Sequence, residues 1–156
     1  MTGAEINQLF KEAGRTLGSV ESFTGGLFAR EITKVPGASK VFKGALVTYA
    51  TEEKIRILGI SKKLIDRVGV VSQEVAAEMA GHGMVLLNVD YCIAFTGNAG
   101  PDAMEGKPVG EIYIAVAAYD TCQVFKYNLS GSRDEIQKKA VDLGYQHLEI
   151  VLRNRK

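Results

Sequence analysis

The sequence predicts an α/β protein, a three-layer α/β/α sandwich around a central mixed sheet of about five strands. Helix-like and strand-like hydrophobic periods alternate along the chain, which is typical of a layered α/β domain. The chain has 156 residues, of which 46% are hydrophobic and 24% are charged, and this is enough to bury a sizeable core. No repeat, low-complexity segment or linker divides the sequence, so we expect a single domain over residues 1–156.

The first half of the chain predicts two strands, two helices and a helical turn region. Apolar runs with strand character predict the strands at Arg15–Glu21 and Phe42–Ala50. Residues at helical spacing predict the helices at Glu5–Ala13 and Gly25–Val35 and the turn region at Glu52–Leu58. Pro36-Gly37 directly follows the second helix and ends it.

The second half predicts two helices and three strands. Ser72 caps a helix that runs to about Leu87, and Glu74 in its first turn favours the positive end of the helix dipole. The strands are expected at Val89–Phe95, Glu111–Ala118 and Gln123–Leu129. The last helix begins at the capping box Ser132-Arg133-Asp134-Glu135. It presents one stripe at helical spacing, made of Ile136, Ala140, Leu143, His147 and Ile150.

Charge and cysteine content exclude several classes of partner. The net charge of +1, from 19 basic and 18 acidic residues, is too small to predict binding to nucleic acid or to a membrane surface. No apolar run approaches the roughly 20 residues of a membrane-spanning helix. Without a secretory signal or a C-x-x-C pair, we expect a cytoplasmic protein with Cys92 and Cys122 in its core. Two separated histidines form no compact cluster, so we expect neither a metal nor a cofactor.

Two glycine turns that follow predicted strands are similar to each other: SFTGG after the first strand and FTGNAGP after the third. Ligands of α/β sheets bind at the edge where such strands end. Glycine lets the backbone approach a ligand closely, and the amides at a helix start attract an anion. From the residues alone, an ordinary turn explains both segments as well as a ligand site does. For Ser22 the residues alone favour the role of a helix cap.

Four motifs taken together resemble one known family. They are ESFTGG, VPGASKVFKGALVTYATEEK, TGNAGPDAMEGKPVG and LSGSRDE, and in this order and spacing they are similar to the CinA C-terminal-domain family. Members of that family include nicotinamide-nucleotide amidohydrolases. The resemblance implies hydrolysis of the carboxamide of nicotinamide mononucleotide to nicotinate mononucleotide and ammonia. It also implies a stand-alone form without the larger molybdopterin-binding-like domain of some relatives, and we expect a homo-oligomer.

The resemblance places the catalytic residues at Ser22, Tyr49 and Lys54. An amide carbonyl needs a nucleophile stronger than a neutral hydroxyl, so another group must take the proton of Ser22. Lys54 can do this only as the neutral amine, and Tyr49 can relay the proton or orient the pair; the sequence leaves open which is the base. The oxyanion then needs donors, which backbone N–H groups of the Phe23–Gly26 turn can provide.

The same resemblance implies six substrate-binding residues: Thr24, Gly25, Gly26, Thr96, Gly97 and Arg133. Arg133 lies at a helix start, where a cation is disfavoured unless an anion is close, and this fits a 5′-phosphate site. The sequence departs from the family pattern at Phe23, which is larger than usual, and at Ala103-Met104, where relatives carry two glycines.

Two other function classes stay open beside the amidohydrolase. One is a catalytically silent ribonucleotide-binding or regulatory module, which would keep Thr96 and Arg133 as binding residues. The other is a structural or interaction domain that binds no nucleotide. Release of ammonia separates the enzyme from both, and a thermal-shift titration with the mononucleotide separates the two.

Overall fold

The computed structural model describes residues 1–155 and shows five strands, six α-helices and one 3-10 helix. The strands are β1 (Leu17–Glu21), β2 (Phe42–Val47), β3 (Tyr91–Gly97), β4 (Glu111–Ala118) and β5 (Thr121–Asn128). The helices are α1 (Gly3–Ala13), α2 (Leu27–Thr33), α3 (Thr51–Arg56), α4 (Lys62–Val68), α5 (Gln73–Leu87) and α6 (Arg133–Arg153), and the 3-10 helix is Ala38–Lys40.

The sheet is mixed, as predicted, and its strand order is β2-β1-β3-β4-β5. β1 runs parallel to both of its neighbours, whereas β4 runs antiparallel to β3 and to β5. The register places Glu21 beside Val47 on one side and beside Phe95 on the other. The carboxyl ends of β1, β2 and β3 therefore meet at one edge of the sheet, the edge at which α/β proteins bind ligands.

Helices cover both faces of the sheet, so the three-layer α/β/α prediction is confirmed. On one face, α1, α2 and α6 contribute Phe10, Phe28 and Leu148 to the core. On the other face, α4 and α5 contribute Ile65 and Met79. β4 is buried along its whole length and β3 along all but its last residue, which explains their almost continuously apolar sequence.

The predicted helix caps of α5 and α6 are confirmed. The Ser72 hydroxyl accepts from the Val75 N–H at the start of α5, and α5 ends at Leu87. In the capping box of α6, Ser132 Oγ accepts from the Glu135 N–H and the Glu135 carboxylate accepts from the Ser132 N–H. Capping depends on residues only three positions apart, so it can be predicted without the tertiary fold.

Two local features differ from the prediction. α4 was not predicted, although Ser61 caps it by accepting from the Leu64 N–H. β2 ends at Val47 rather than at Ala50, because Val47 pairs with Glu21, the last residue of the neighbouring strand β1. Beyond this point, the carbonyl oxygens of Thr48 and Tyr49 accept from the side chain of Lys54.

The two cysteines differ in burial, and the expectation for one of them was wrong. Cys92 on β3 is buried, whereas Cys122 on β5 is exposed. β5 is an edge strand that pairs only with β4, and most of its residues are exposed or half-buried. An apolar strand pattern therefore indicates burial only where other elements cover both sides of the strand.

The stripe expected on α6 is buried at Ile136, Ala140 and His147, but Ile150 is 47% exposed. The buried face continues instead through Leu148 and Val151. Among residues 1–155, no helix combines the length and the apolar content that crossing a membrane requires, and this includes α6 with its 21 residues.

Candidate active site

A cavity of about 320 Å³ opens at the sheet edge where β1, β2 and β3 end. Its lining includes six of the predicted site residues, namely Ser22, Tyr49, Lys54, Thr96, Gly97 and Arg133. They come from separate parts of the chain, so only the tertiary fold brings them together. Residues 98–102, Met104 and Val70 form much of the remaining wall.

Backbone pairing fixes Ser22 at the exit of β1. Its N–H donates to the carbonyl oxygen of Phe95 on β3, with 3.0 Å between nitrogen and oxygen. Its own carbonyl oxygen accepts from the Gly25 N–H, also at 3.0 Å, and this closes the turn toward α2. The Ser22 backbone is thus held from both sides while the residue lines the cavity.

Lys54 lies on α3, is only 1% exposed, and has its amine next to Ser22. Its Nζ lies 2.9 Å from Ser22 Oγ, 2.6 Å from the Thr48 carbonyl oxygen and 3.3 Å from the Tyr49 carbonyl oxygen. Carbonyl oxygens can only accept, whereas a hydroxyl can either accept or donate. A neutral amine has two hydrogens and one lone pair, so it satisfies all three contacts if the Ser22 hydroxyl donates to it.

Burial lowers the pKa of Lys54 from its ordinary 10.5 to about 8, because the surroundings solvate the ammonium form poorly. The negative charges of Glu105 and Glu52 act in the opposite direction and raise this pKa. Burial has the larger effect. Lys54 therefore loses its proton close to neutral pH, where an exposed lysine would stay charged.

Tyr49 and Arg133 contact each other at the mouth of the cavity. Arg133 Nη2 donates to the Tyr49 hydroxyl at 2.5 Å, and its Nη1 donates to the Gly100 carbonyl oxygen at 2.6 Å. Within residues 1–155 the Tyr49 hydroxyl forms no hydrogen bond with Ser22 or Lys54, and the Tyr49 side chain is largely exposed. Two contacts leave other guanidinium N–H groups of Arg133 able to donate to a ligand.

Thr24, Gly25 and Gly26 lie beside the cavity rather than in its lining. The Thr24 hydroxyl donates to Glu21 Oε1 at 2.9 Å, so it is directed at a buried carboxylate. Both glycines have left-handed backbone angles, with φ of +60° for Gly25 and +101° for Gly26, which other residues rarely adopt. These three residues shape the turn, and contact with a substrate stays a prediction for them.

Glu21 is a buried carboxylate directly before Ser22, and the sequence analysis did not single it out. It is 0% exposed and accepts four hydrogen bonds. The donors are Ser19 Oγ, Thr24 Oγ1 and the N–H groups of Phe28 and Ala29. These two N–H groups, near the start of α2, therefore donate to Glu21 and are not free to bind a ligand. A charged residue at the end of a short strand, directly before a glycine turn, was the available signal, since a buried charge needs partners.

The candidate oxyanion donors are found in the turn between Ser22 and α2. Within residues 1–155, the N–H groups of Phe23 and Thr24 have no hydrogen-bond acceptor, whereas that of Gly25 is bonded to Ser22. The Phe23 carbonyl oxygen accepts from Gln137 Nε2 at 2.8 Å, which fixes the orientation of this peptide group. The enlarged Phe23 side chain is buried in the core, so it fits without distorting the turn.

Thr96 and Gly97 form the opposite side of the cavity, at the end of β3. The Thr96 hydroxyl donates to the Val70 carbonyl oxygen at 2.7 Å. A Cβ atom on Gly97 would lie only 2.5 Å from the Ile112 side chain on β4, so the close strand pairing requires glycine here. Met104, the second residue that departs from the family pattern, is partly exposed in the cavity wall.

No metal site is apparent in the part of the chain that the structure describes, residues 1–155. Within it, no group of three or more His, Cys, Asp or Glu side chains is arranged to hold a metal ion. The ionisable side chains that line the cavity are Tyr49, Lys54, Asp102 and Arg133.

Relatives of this sequence carry one recurring name. A competence-damage inducible protein from Bacillus subtilis is 41% identical over 152 residues, which is 97% of this chain and 36% of the relative. A protein of the same name from Listeria monocytogenes serotype 4a is 43% identical over 149 residues, again 36% of its length. The chain thus spans about a third of the length of the curated relatives it matches.

Solved structures and a family model agree with these relatives. A CinA superfamily protein from Klebsiella pneumoniae has the same fold, with a TM-score of 0.95 at 22% identity over 97% of this chain and 96% of its own. A competence/damage inducible protein from Agrobacterium tumefaciens gives a TM-score of 0.91 at 29% identity, over 97% and 93% of the two chains. The CinA C-terminal domain model matches residues 2–152. The chain therefore belongs to the CinA C-terminal-domain family.

Proposed function

We propose that the protein hydrolyses the carboxamide of nicotinamide mononucleotide, with Ser22 as the nucleophile and Lys54 as the general base. The substrate is taken from the family resemblance. The chemistry is supported above all by one observation: a buried amine with a pKa of about 8 lies 2.9 Å from the Ser22 hydroxyl oxygen. At this distance a hydroxyl can pass its proton directly to the amine.

The reaction follows from this pair in two halves. Ser22 Oγ attacks the carboxamide carbon while its proton moves to Lys54 Nζ. The protonated lysine then gives this proton to the departing nitrogen, the carbon–nitrogen bond breaks, and ammonia leaves an ester on Ser22. A water molecule, deprotonated by the neutral Lys54, attacks the ester carbon. The protonated lysine then gives this proton to Ser22 Oγ as the ester bond breaks, which releases nicotinate mononucleotide and restores the Ser22 hydroxyl and the neutral amine.

The contacts of Lys54 favour it over Tyr49 as the base. Two of its three partners are carbonyl oxygens, which occupy the two hydrogens of the neutral amine and direct its lone pair toward Ser22. The Tyr49 hydroxyl is instead bonded to Arg133. We therefore assign Tyr49 to holding Arg133 in place, which is a role in binding rather than in proton transfer.

Arg133 is the proposed anchor for the 5′-phosphate. Its guanidinium is held by Tyr49 and Gly100 and still has hydrogens available for an anion. Lys54, the other cation in the cavity lining, is occupied by Ser22 and two carbonyl oxygens. A substrate with an amide at one end and a phosphate at the other matches this separation of roles.

The decisive experiment measures ammonia released from nicotinamide mononucleotide by the purified protein, without added metal and after treatment with a chelator. We expect ammonia and nicotinate mononucleotide in equal amounts. Activity that is abolished by the chelator and restored by zinc contradicts the proposed mechanism. No ammonia, together with a thermal shift by the mononucleotide, would leave the silent binding module as the function instead.

A further inference from the structure

Two charged side chains fasten the loop that walls the cavity to the segment facing it. Glu105 accepts from the Val70 N–H at 2.8 Å and from the Val71 N–H at 3.0 Å. Lys107 Nζ donates to the carbonyl oxygens of Val68, at 2.9 Å, and of Val71. The Lys107 amine also lies 3.8 Å from Glu105 Oε1. The two side chains thus hold residues 68–71 through both their N–H and their carbonyl groups.

The segment that they hold is part of the cavity. Val70 lines it, and its carbonyl oxygen accepts from Thr96 Oγ1. Val70 is therefore fixed at its N–H by Glu105 and at its carbonyl by Thr96. On the loop side, the Lys107 N–H donates to the Met104 carbonyl oxygen at 2.8 Å, and Met104 also lines the cavity.

The backbone conformations of Glu105 and of the facing Gly69 allow the Glu105 carboxylate to reach residues 70 and 71. Glu105 has φ of +54°, a left-handed conformation that is unfavourable for a residue with a long side chain. Opposite it, Gly69 has φ of +80°, and a Cβ atom there would lie 2.6 Å from Glu105 Oε2. An unfavourable backbone conformation persists only where its surroundings determine it, so the position of this carboxylate is tightly set.

We propose, resting on the proposed function for the reaction itself, that Glu105 is a positioning residue that fastens the cavity wall and acts on Lys54 through its charge. Among the charges that act on Lys54, Glu105 on the loop has a larger effect than Glu52 on α3 itself, and both raise the Lys54 pKa. Tyr49, Asp102 and Arg133 also line the cavity. Removing the negative charge of Glu105 should therefore let the pKa of Lys54 fall further.

The test compares Glu105→Gln and Glu105→Ala with Glu52→Gln as the matched control. Glutamine keeps one acceptor oxygen and loses the charge, whereas alanine loses both. The first readout is a ¹³C NMR titration of lysine Cε in the absence of substrate, with the Lys54 signal identified by its loss in Lys54→Arg. The second is kcat/KM for ammonia release at a pH where Lys54 is neutral in every variant.

We expect Lys54 to titrate at lower pH in both Glu105 variants than in the parent, with a smaller shift in Glu52→Gln. We expect kcat/KM to fall about tenfold in Glu105→Ala, less in Glu105→Gln, and not in Glu52→Gln, because a displaced wall misplaces the substrate. An unchanged titration in Glu105→Gln, or an unchanged kcat/KM in Glu105→Ala, overturns the proposal.

The titration needs no substrate, so it separates this inference from the proposed function. If the parent releases no ammonia but Lys54 titrates lower in Glu105→Gln, the action of Glu105 on Lys54 holds and the assigned reaction fails. Thermal melting of each variant shows whether it is folded, and Glu105→Gln keeps the test valid if Glu105→Ala does not fold.

Discussion

The two Thr-Gly turns are similar in sequence but differ in what they contribute to the site. In the first, residues 22–26, only Ser22 and Phe23 line the cavity. Thr24 is directed at Glu21, and the first amides of α2 bind the same carboxylate. In the second, every residue from 96 to 101 lines the cavity, and Gly100 also holds Arg133.

The difference follows from where each strand leads. β1 lies between two parallel strands and continues into α2, which packs on one face of the sheet, so the chain leaves the sheet edge directly after Ser22 and Phe23. β3 continues into a loop that returns as antiparallel β4, so this loop stays at the sheet edge. A Thr-Gly pattern thus predicts a turn, while the next element decides whether the turn faces a ligand. In the proposed reaction, the first turn supplies the nucleophile Ser22 and the second turn contacts the substrate.

The largest expected effect is the loss of the nucleophile from the first turn. Ser22→Ala should lower kcat by roughly 10³- to 10⁶-fold, because no other hydroxyl in residues 1–155 is bonded to Lys54. Ser39→Ala is the matched control, because Ser39 is exposed and lies outside the cavity lining, and it should keep the turnover. Ammonia release measures both variants. Activity retained in Ser22→Ala would place the nucleophile elsewhere and remove the proposed division between the turns.

The second effect concerns Lys54, whose amine contacts Ser22 in the first turn. In the proposed mechanism neutral Lys54 is the active form, and its fraction grows as pH rises through its pKa, so kcat/KM should rise through about pH 8 and level off above it. Lys54→Arg stays charged at every pH and should lose at least about 10²-fold in activity. A pH–rate profile of the parent and of this variant provides the measurement. An optimum on the acid side would contradict a lysine base.

The third effect tests recognition by the second turn. Arg133→Ala removes the cation held by Gly100 and should lower kcat/KM for the mononucleotide roughly ten- to a hundred-fold, since a charge-assisted phosphate contact is lost. The riboside without phosphate should be a poor substrate for parent and variant alike. Steady-state kinetics with both compounds gives the result. A riboside that the parent turns over as fast as the nucleotide would show that no phosphate is recognised here.

The fourth effect is on stability and belongs to the first turn alone. Glu21→Gln replaces one carboxylate oxygen by an NH₂ group, and each oxygen of Glu21 accepts from one hydroxyl and one backbone N–H. The hydroxyl can turn to accept from the NH₂ group, but the backbone N–H loses its acceptor. The free energy of unfolding should fall by about 1–3 kcal/mol in urea denaturation. Equal stability of the variant and the parent would mean that Glu21 does not hold this turn.

The smallest effect is expected at the contact between Tyr49 and Arg133. Tyr49→Phe keeps the ring and removes only the hydroxyl that accepts from Arg133. KM for the mononucleotide should rise a few-fold, as expected for one lost hydrogen bond, while the pH dependence stays that of the parent. Kinetics across the pH range distinguishes this outcome from a role in proton transfer. A large fall in kcat, or a shift of the acid side of the pH–rate profile, would show that the Tyr49 hydroxyl takes part in proton transfer.

Much of the fold could be predicted from local sequence. The hydrophobic periods predict the layered α/β class and the five strands, and the caps at Ser72 and Ser132 lie where expected. These signals arise within a few residues of each other, so they exist before the chain folds. The motifs also led to Ser22 and Lys54, whose residue types suit acyl transfer.

Only the tertiary structure decided how those residues act. Lys54 is 32 positions from Ser22 and becomes its neighbour only in the folded chain. Its lowered pKa comes from burial, and Glu105, which opposes this shift, lies about fifty positions further along the chain. Likewise, Cys122 is exposed because β5 lies at the edge of the sheet. Burial, and the choice of hydrogen-bond partner, depend on residues far apart in sequence, so a local pattern cannot specify them.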